Sequence, residues 1–487
     1  MTRSMKERSV KFNFIMNFIF SVSQFLFPMI TFPYVSRVLR PEGNGSIAFA
    51  TSVISYFTMI AMLGIPTYGI RACAQVRDDK EKLSRTVHEL LLINFVMSLV
   101  CYIAFGISMF TVERFQRDKL LLVISSAAIL LNVIGVSWLY AALEQYAYIT
   151  VVAILFKVIA IGMMFMFVHT KDDYIIYGAI TMFASGGSYI LNFLRLRKFI
   201  YLRPLGNYEF RKHLKPILVF FAMSVATSIY ANLDKVMLGF LKTDADTGYY
   251  DAAVKTKNIL VSLVTSLGTV LLPRLSFYIE TGKVEEFKKM ISKALHFVLL
   301  ISLPVSIYFI FFAKESILLL SGEAYMGSVM PMCIITPTVI LIGITNVLGI
   351  QVLVPTGRED KVLKSVAAGA VTDLILNLIY IPRYAASGAA MGTLIAEVVV
   401  LIVQVCYLSK LLNEIKKEIH GGKIAGAAVA ATFVILILKD KLLFESPFCI
   451  LASSSLIFFG VYAGMLMLLR EELAVEALKI ITKKIKQ

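Results

Sequence analysis

Residues 224–269 read SVATSIYANLDKVMLGFLKTDADTGYYDAAVKTKNILVSLVTSLGT. The stretch is apolar enough for two membrane-spanning helices, yet it carries Asp234, Lys235, Asp251, Lys255 and Lys257. On the first helix Ser224, Ser228, Asn232 and Lys235 recur every three or four residues. On the second, Asp251, Lys255, Asn258, Ser262, Thr265 and Thr269 do the same, so each set lies along one helical face. A charge at the centre of a membrane helix costs roughly 2.5–3.5 kcal/mol, and such a stripe must meet water or a partner. Two readings follow. The groups either clamp helices together by ion pairs and hydrogen bonds, or they line a hydrated cavity that receives a polar or charged cargo.

The rest of the chain places that stripe in a membrane. Of 487 residues, 58% are hydrophobic and only 16% charged, and the mean hydropathy is +0.78. The basic stretch 1–11 precedes an apolar run longer than a signal-peptide core, with no small-residue cleavage site, so a retained first span is expected. Apolar runs of about 20 residues mark fourteen spans: 12–36, 46–69, 87–110, 120–142, 147–168, 174–194, 214–240, 248–273, 294–313, 327–353, 362–381, 387–409, 424–438 and 447–469. Alternate connections differ roughly threefold in Lys and Arg. This bias orients the chain with both termini in the cytoplasm and accounts for most of the net charge of +16. Nucleic acid is not an expected partner, because no folded domain concentrates the basic residues on one face. The most basic connection, 195–215, reads as a topology signal and a contact for anionic membrane lipids.

The same connection divides the chain, with six spans before it and eight after. At a constant offset Ser21-Val22 matches Ser224-Val225, Gly45 matches Gly248, Ala50 matches Ala253 and Arg71 matches Arg274. The first span has its own polar face, Asn13, Asn17, Ser21, Gln24 and Thr31, and Gln24 and Thr31 fall opposite Thr227 and Asp234. Parallel repeats of this kind build transporters around a central cavity. The expected organisation is an N-lobe at 1–200, a cytoplasmic linker at 201–212 and a C-lobe at 213–411. Two added helices and a basic cytoplasmic tail fill 412–487.

Other motifs carry little chemistry. Gly43-x-Gly45-x-x-Ala48 lacks the strand–helix unit of a dinucleotide site and reads as a tight turn. Gly388-x-x-x-Gly392 suits close helix approach. Cys73, Cys101, Cys333, Cys406 and Cys449 show no metal spacing, and the five histidines form no His-x-x-x-His pair. Neither a metal, a resident cofactor nor a catalytic group is expected. Asp251 and Lys255 stand one turn apart, acid first, as an intrahelical ion pair would. Lys257 cannot share that face. Lys157 lies mid-span, as do Asp373 and Glu397, either of which could titrate and couple transport to protons.

The opening span followed by Pro33-Tyr34-Val35-Ser36-Arg37-Val38-Leu39-Arg40-Pro41-Glu42-Gly43-x-Gly45 resembles the N-terminal signature of Wzx-like flippases. These belong to the polysaccharide transporter family of the multidrug/oligosaccharidyl-lipid/polysaccharide exporter superfamily. Leu143-Glu144-Gln145-Tyr146, Leu233-Asp234-Lys235 through Gly239, Gly248 through Ala253, Pro355-Thr356-Gly357-Arg358 and Ser387-Gly388-Ala389-Ala390 are similar to its later landmarks. The resemblance implies an all-α integral membrane fold of about fourteen transmembrane helices. Two six-helix lobes would form a V around a central cavity, with two C-terminal helices at the periphery. It implies flipping of an undecaprenyl-pyrophosphate-linked oligosaccharide from the cytoplasmic to the outer leaflet of the bacterial cytoplasmic membrane by alternating access, for capsule, O-antigen or exopolysaccharide. It implies a monomer working beside a polysaccharide polymerase and glycosyltransferases. Coupling to a proton or sodium gradient or to the membrane potential stays open.

Physically, sugars and a pyrophosphate cannot cross hydrocarbon unaided, but a cavity of hydroxyls, amides and lysines can shelter them. Lys235, Lys255 and Lys257 are the candidates for pyrophosphate or acidic sugars. Asn13, Asn17, Gln24 and Asn258 are the candidates for sugar hydroxyls. Asp234, Asp251 and Lys157 complete the cavity set, and Arg37, Arg71 and Arg274 stand near its mouths. The nearest rivals are a peptidoglycan-precursor flippase or a cation-coupled small-molecule exporter of the same superfamily. A membrane glycan polymerase or ligase would need a large outer catalytic loop, and the outer connections here are short. The reading is therefore a transporter and not an enzyme.

Overall fold

Long apolar runs leave their backbones no partner in lipid but themselves, and the chain answers with helices. The computed structural model describes residues 10–415, 421–439 and 446–475, and among these there is no strand. The basic stretch 1–9, residues 416–420 and 440–445, and the tail 476–487 lie outside the described residues, as does the side chain of Thr269.

In chain order the helices are α1 (Val10–Met62), α2 (Ile65–Ala74), α3 (Lys80–Thr111), α4 (Glu113–Arg117), α5 (Lys119–Gly135) and α6 (Ser137–Ala142). There follow α7 (Tyr146–Phe167), α8 (Tyr174–Arg195), α9 (Arg211–Leu241), α10 (Asp244–Glu280), α11 (Val284–Phe311) and α12 (Ala313–Leu320). The last are α13 (Val329–Ile335), α14 (Thr338–Asn346), α15 (Glu359–Ile415), α16 (Gly421–Lys439) and α17 (Pro447–Leu468), with a π-helical turn at Val347–Leu353 between α14 and α15.

Straight helices as long as α1 and α15 would reach about 80 Å, well beyond a hydrocarbon core of about 30 Å. Both are broken. In α1 the break is at Arg40 (φ 59°, ψ 179°), the residue before Pro41, where the proline ring excludes helical backbone. In α15 it is at Ala385 (φ 47°, ψ −125°). By length and composition ten helices of the described residues can cross a membrane, eleven if a pair bent by 47° counts as one span. The apolar runs predict fourteen. The difference lies in α1 with α2 and in α15, each counted once while holding two apolar runs, and in α10, where the side chains of 267–270, 272 and 273 are not described.

The chain forms two compact units, Met1–Gly248 and Tyr249–Gln487. In the first, α1 is central and packs on α3, α5, α7, α8 and α9. Its core runs from Val35, Leu39, Phe49 and Ile54 to Leu121, Leu122 and Ala160. The helix α9, which the sequence reading assigns to a second lobe, packs in this unit against α1. Gly239 permits it, because a Cβ there would run into the Phe49 ring. In the second unit α11 packs on α14 and α16, α13 and α14 pack on α15, and α16 pairs with α17. The break in α15 folds its halves together at Gly388 and Gly392. Side chains there would meet the Tyr380 carbonyl and the Asn377 amide oxygen, so these glycines do allow the close approach their spacing suggests. Large apolar residues such as Phe110 (82% exposed) and Leu456 (78%) point outward, as lipid-facing surfaces require.

Candidate functional site

In the first unit, alternate connections gather at opposite ends. At the end expected to be cytoplasmic, Asn13 Nδ2 donates to Glu144 Oε2 (3.3 Å), whose other oxygen pairs with Arg77 (3.0 Å). Nearby, Glu89 on α3 is fully buried. It accepts from the backbone N–H of Glu209 (2.6 Å) and from Lys212 (3.2 Å), and lies 2.7 Å from His213 Nε2. His213 Nδ1 meets the Tyr68 hydroxyl at 2.7 Å. Tyr201 N–H donates to Ser84 Oγ (2.9 Å) and Arg195 stacks on Tyr148 (3.8 Å). The connection read as a topology signal is thus tied down on α3.

At the opposite end, Arg114 donates to the Gly239 carbonyl (2.8 Å) and to Asp118 (3.1 Å), pairs with Asp244, and lies over the Phe49 ring (4.5 Å). The Tyr174 hydroxyl donates to Asp118 (3.2 Å).

Between these ends lies the polar face of α1. Lys157 on α7 is buried. Its ammonium donates to Ser23 Oγ (3.1 Å) and Gln24 Oε1 (3.0 Å), while Thr150 donates to the Met16 carbonyl (3.0 Å). Gln24 and Asn17 are exposed and Asn13 is buried. Of the candidates in α9, Asp234 is buried and Lys235 half-buried. Arg37 is exposed and donates to the Pro33 carbonyl one turn back, and Arg71 is exposed in the last turn of α2.

In the second unit Lys255 pairs with Asp251 at 2.7 Å, the intrahelical bond its spacing predicts. Asp251 is buried, Lys257 half-buried and Asn258 exposed. Arg274 is exposed and donates to the Tyr278 hydroxyl (3.0 Å) on its own helix. Asp373 and Glu397 are both buried, on the two halves of α15. The fold adds neighbours that sequence reasoning passed over. Asn377 stands one turn after Asp373, a spacing that could have flagged it. Tyr250, beside Asp251, reaches Thr393 across to α15 (2.8 Å). Further along, buried Glu471 follows α17 and meets His296 Nε2 at 2.6 Å. Burial alone would raise its carboxyl pKa, but the N–H groups of Ala474 and Leu473 together with His296 hold it below the ordinary value.

Charged and amide side chains carried within apolar helices define a multi-pass helical membrane protein with polar groups at membrane depth. The model of the family described as "Polysaccharide biosynthesis protein" matches residues 10–279, more than half of the chain, and the chain belongs to that family. The model described as MatE matches residues 220–379. The chain is 26% identical over 380 residues to a protein of Escherichia coli (strain K12) named "Putative O-antigen transporter", covering 78% of this chain and 91% of that one. A protein of the same name from Shigella dysenteriae is 23% identical, with 81% and 98% covered. Among solved structures, the lipid II flippase MurJ in an inward closed conformation superposes with a TM-score of 0.71 at 17% identity, covering 94% of this chain and 99% of that one. An inward-facing multidrug resistance MATE family transporter gives 0.61 at 16%, with 83% and 99% covered. The chain has the fold of these proteins.

Proposed function

We propose that this protein is a flippase for lipid-linked oligosaccharides in the assembly of a cell-surface polysaccharide. The observation that carries the reading is the family match over 10–279, which spans α1 and the charged helices α9 and α10. Similarity over about four fifths of the chain to proteins named as O-antigen transporters supports the same cargo. The fold is shared with a lipid II flippase and a multidrug transporter and so does not choose among cargoes.

In this reading an undecaprenyl-pyrophosphate oligosaccharide passes from the cytoplasmic to the outer leaflet of the bacterial cytoplasmic membrane, and both termini are cytoplasmic. The lobes 1–200 and 213–411 rock around the bound headgroup. Lys235, Lys255 and Lys257 neutralise the pyrophosphate or acidic sugars. Asn17, Gln24 and Asn258, which the structure leaves exposed, offer hydrogen bonds to sugar hydroxyls. Lys157 acts through Gln24, whose amide it orients. Asp373 or Glu397 couples transport to an ion gradient. The chain works as a monomer beside a polymerase and glycosyltransferases.

The test is reconstitution in liposomes with a fluorescent undecaprenyl-pyrophosphate oligosaccharide, reading headgroup accessibility on each leaflet. Translocation by the wild type and its loss in Lys255→Ala or Lys257→Ala is the expected result. Translocation unchanged in both variants returns the lysines to ion pairing. A folded wild type that moves no glycan sinks the assignment.

A further inference from the structure

The glycine pair that the sequence offset aligns, Gly45 and Gly248, comes together in space. A Cβ on Gly45 would collide with the Asp244 carbonyl and sit 2.9 Å from the Gly248 backbone nitrogen. A Cβ on Gly248 would collide with the Pro41 carbonyl. The turn after the break in α1 and the connection from α9 to α10 therefore touch backbone to backbone, with no side chain between them. Both belong to the end of the molecule where the connections around Arg114 and Tyr174 also meet.

One cation, its side chain 9% exposed, spans this junction. Arg114 shares its guanidinium between Asp118, one turn along its own segment, and Asp244 on the far side, while its Nε holds the Gly239 carbonyl. A buried charge stripped of its partner is strongly destabilising. Arg114 avoids that state: if the 239–248 connection moves away, Asp118 still neutralises it, and Tyr174 still holds Asp118. A shared cation of this kind suits a contact made and broken repeatedly better than a permanent staple does. Burial raises the Asp244 carboxyl above its ordinary pKa against the pull of Arg114 and Arg117, while Asp118 is held by both Arg114 and Tyr174.

We propose that Arg114 is the gating residue of the outer end, latching the 239–248 connection to the 41–45 turn in the closed state and passing wholly to Asp118 when that end opens. The inference rests on the alternating-access reading above. It assigns a role in transport to a residue outside the proposed cargo site.

The test follows accessibility, not transport. In a background with Cys73, Cys101, Cys333, Cys406 and Cys449 replaced by Ser, Ser46→Cys places a reporter beside Gly45, at a position that is buried in the closed state. A membrane-impermeant maleimide then reads opening in proteoliposomes. Asp244→Asn should raise the labelling rate about tenfold, as loss of one charge-assisted bond shifts a two-state equilibrium. Gly248→Ala, which wedges the backbones apart without touching a charge, should raise it as well. Asp118→Asn leaves Arg114 to Asp244 alone and should leave labelling unchanged or slower. Equal labelling in Asp244→Asn and its parent overturns the latch, and so does an equal rise in both Asn variants with a matching loss of melting temperature. The readout needs no cargo. A protein that shows this pattern but flips no glycan retains the latch and loses the flippase reading.

Discussion

The helices α1 and α9 open the two sequence halves with the same kind of polar face, yet the fold treats them differently. On α1 the face is docked in part, with Ser21 and Thr31 bonding back to the Asn17 and Phe27 carbonyls of their own helix. Asn13 meets Glu144, the Met16 carbonyl accepts from Thr150, and Ser23 with Gln24 takes the ammonium of Lys157. On α9 the hydroxyls and amide fold back on their own helix: Ser224 to the Phe220 carbonyl, Thr227 to Met223 and Asn232 to Ser228. Only 6% of the most apolar window of α9 is buried inside the protein, against 33% for α7. Instead α9 is held at its ends, by His213 on Glu89 and by Gly239 against Phe49. Polar residues at membrane depth therefore do two jobs here. Docked ones set the geometry of a helix pair, and undocked ones are the groups that the proposed function assigns to a cargo.

The largest expected effect breaks the foot of α9. Glu89→Ala removes a fully buried carboxylate and takes from His213 its Nε2 partner, which should cost about 3 kcal/mol. A fall in thermal stability in detergent checks it, and a fall no larger than that of an exposed substitution would mean that α9 is held elsewhere. Next in size is the docked face of α1. Lys157→Met removes two interhelical bonds and should cost about 2 kcal/mol by the same assay. The smallest effect is on α9 itself. Thr227→Ala loses only a bond to its own backbone, so its stability should stay within about 0.5 kcal/mol of wild type while glycan translocation slows. Should Thr227→Ala destabilise the protein as much as Lys157→Met does, the two faces are equivalent and the comparison fails.

Legibility followed range. Spacing within one helix revealed the Asp251–Lys255 pair and the close approach at Gly388 and Gly392, because both obey helical geometry alone. The offset between Gly45 and Gly248 was visible as a pattern, but not as a contact. In the sequence Arg114 reads only as an outer-side charge, and His213 only as a scattered histidine. Each gains its role from partners such as Asp244 and Glu89, more than a hundred residues away along the chain. No local period encodes such a meeting.

Sequence by itself determined the membrane class, the helical fold and the family signature, because lipid forces every backbone group in a span to be satisfied within that span, and apolar runs record it. Tertiary structure alone decided which polar groups are anchored and which are left facing outward. The seating of Lys157 on α1, the burial of Glu89 and the sharing of Arg114 between two acids depend on how helices cross. Apolar periodicity identifies a helix and the side it turns inward, but it does not name the residue it will meet there.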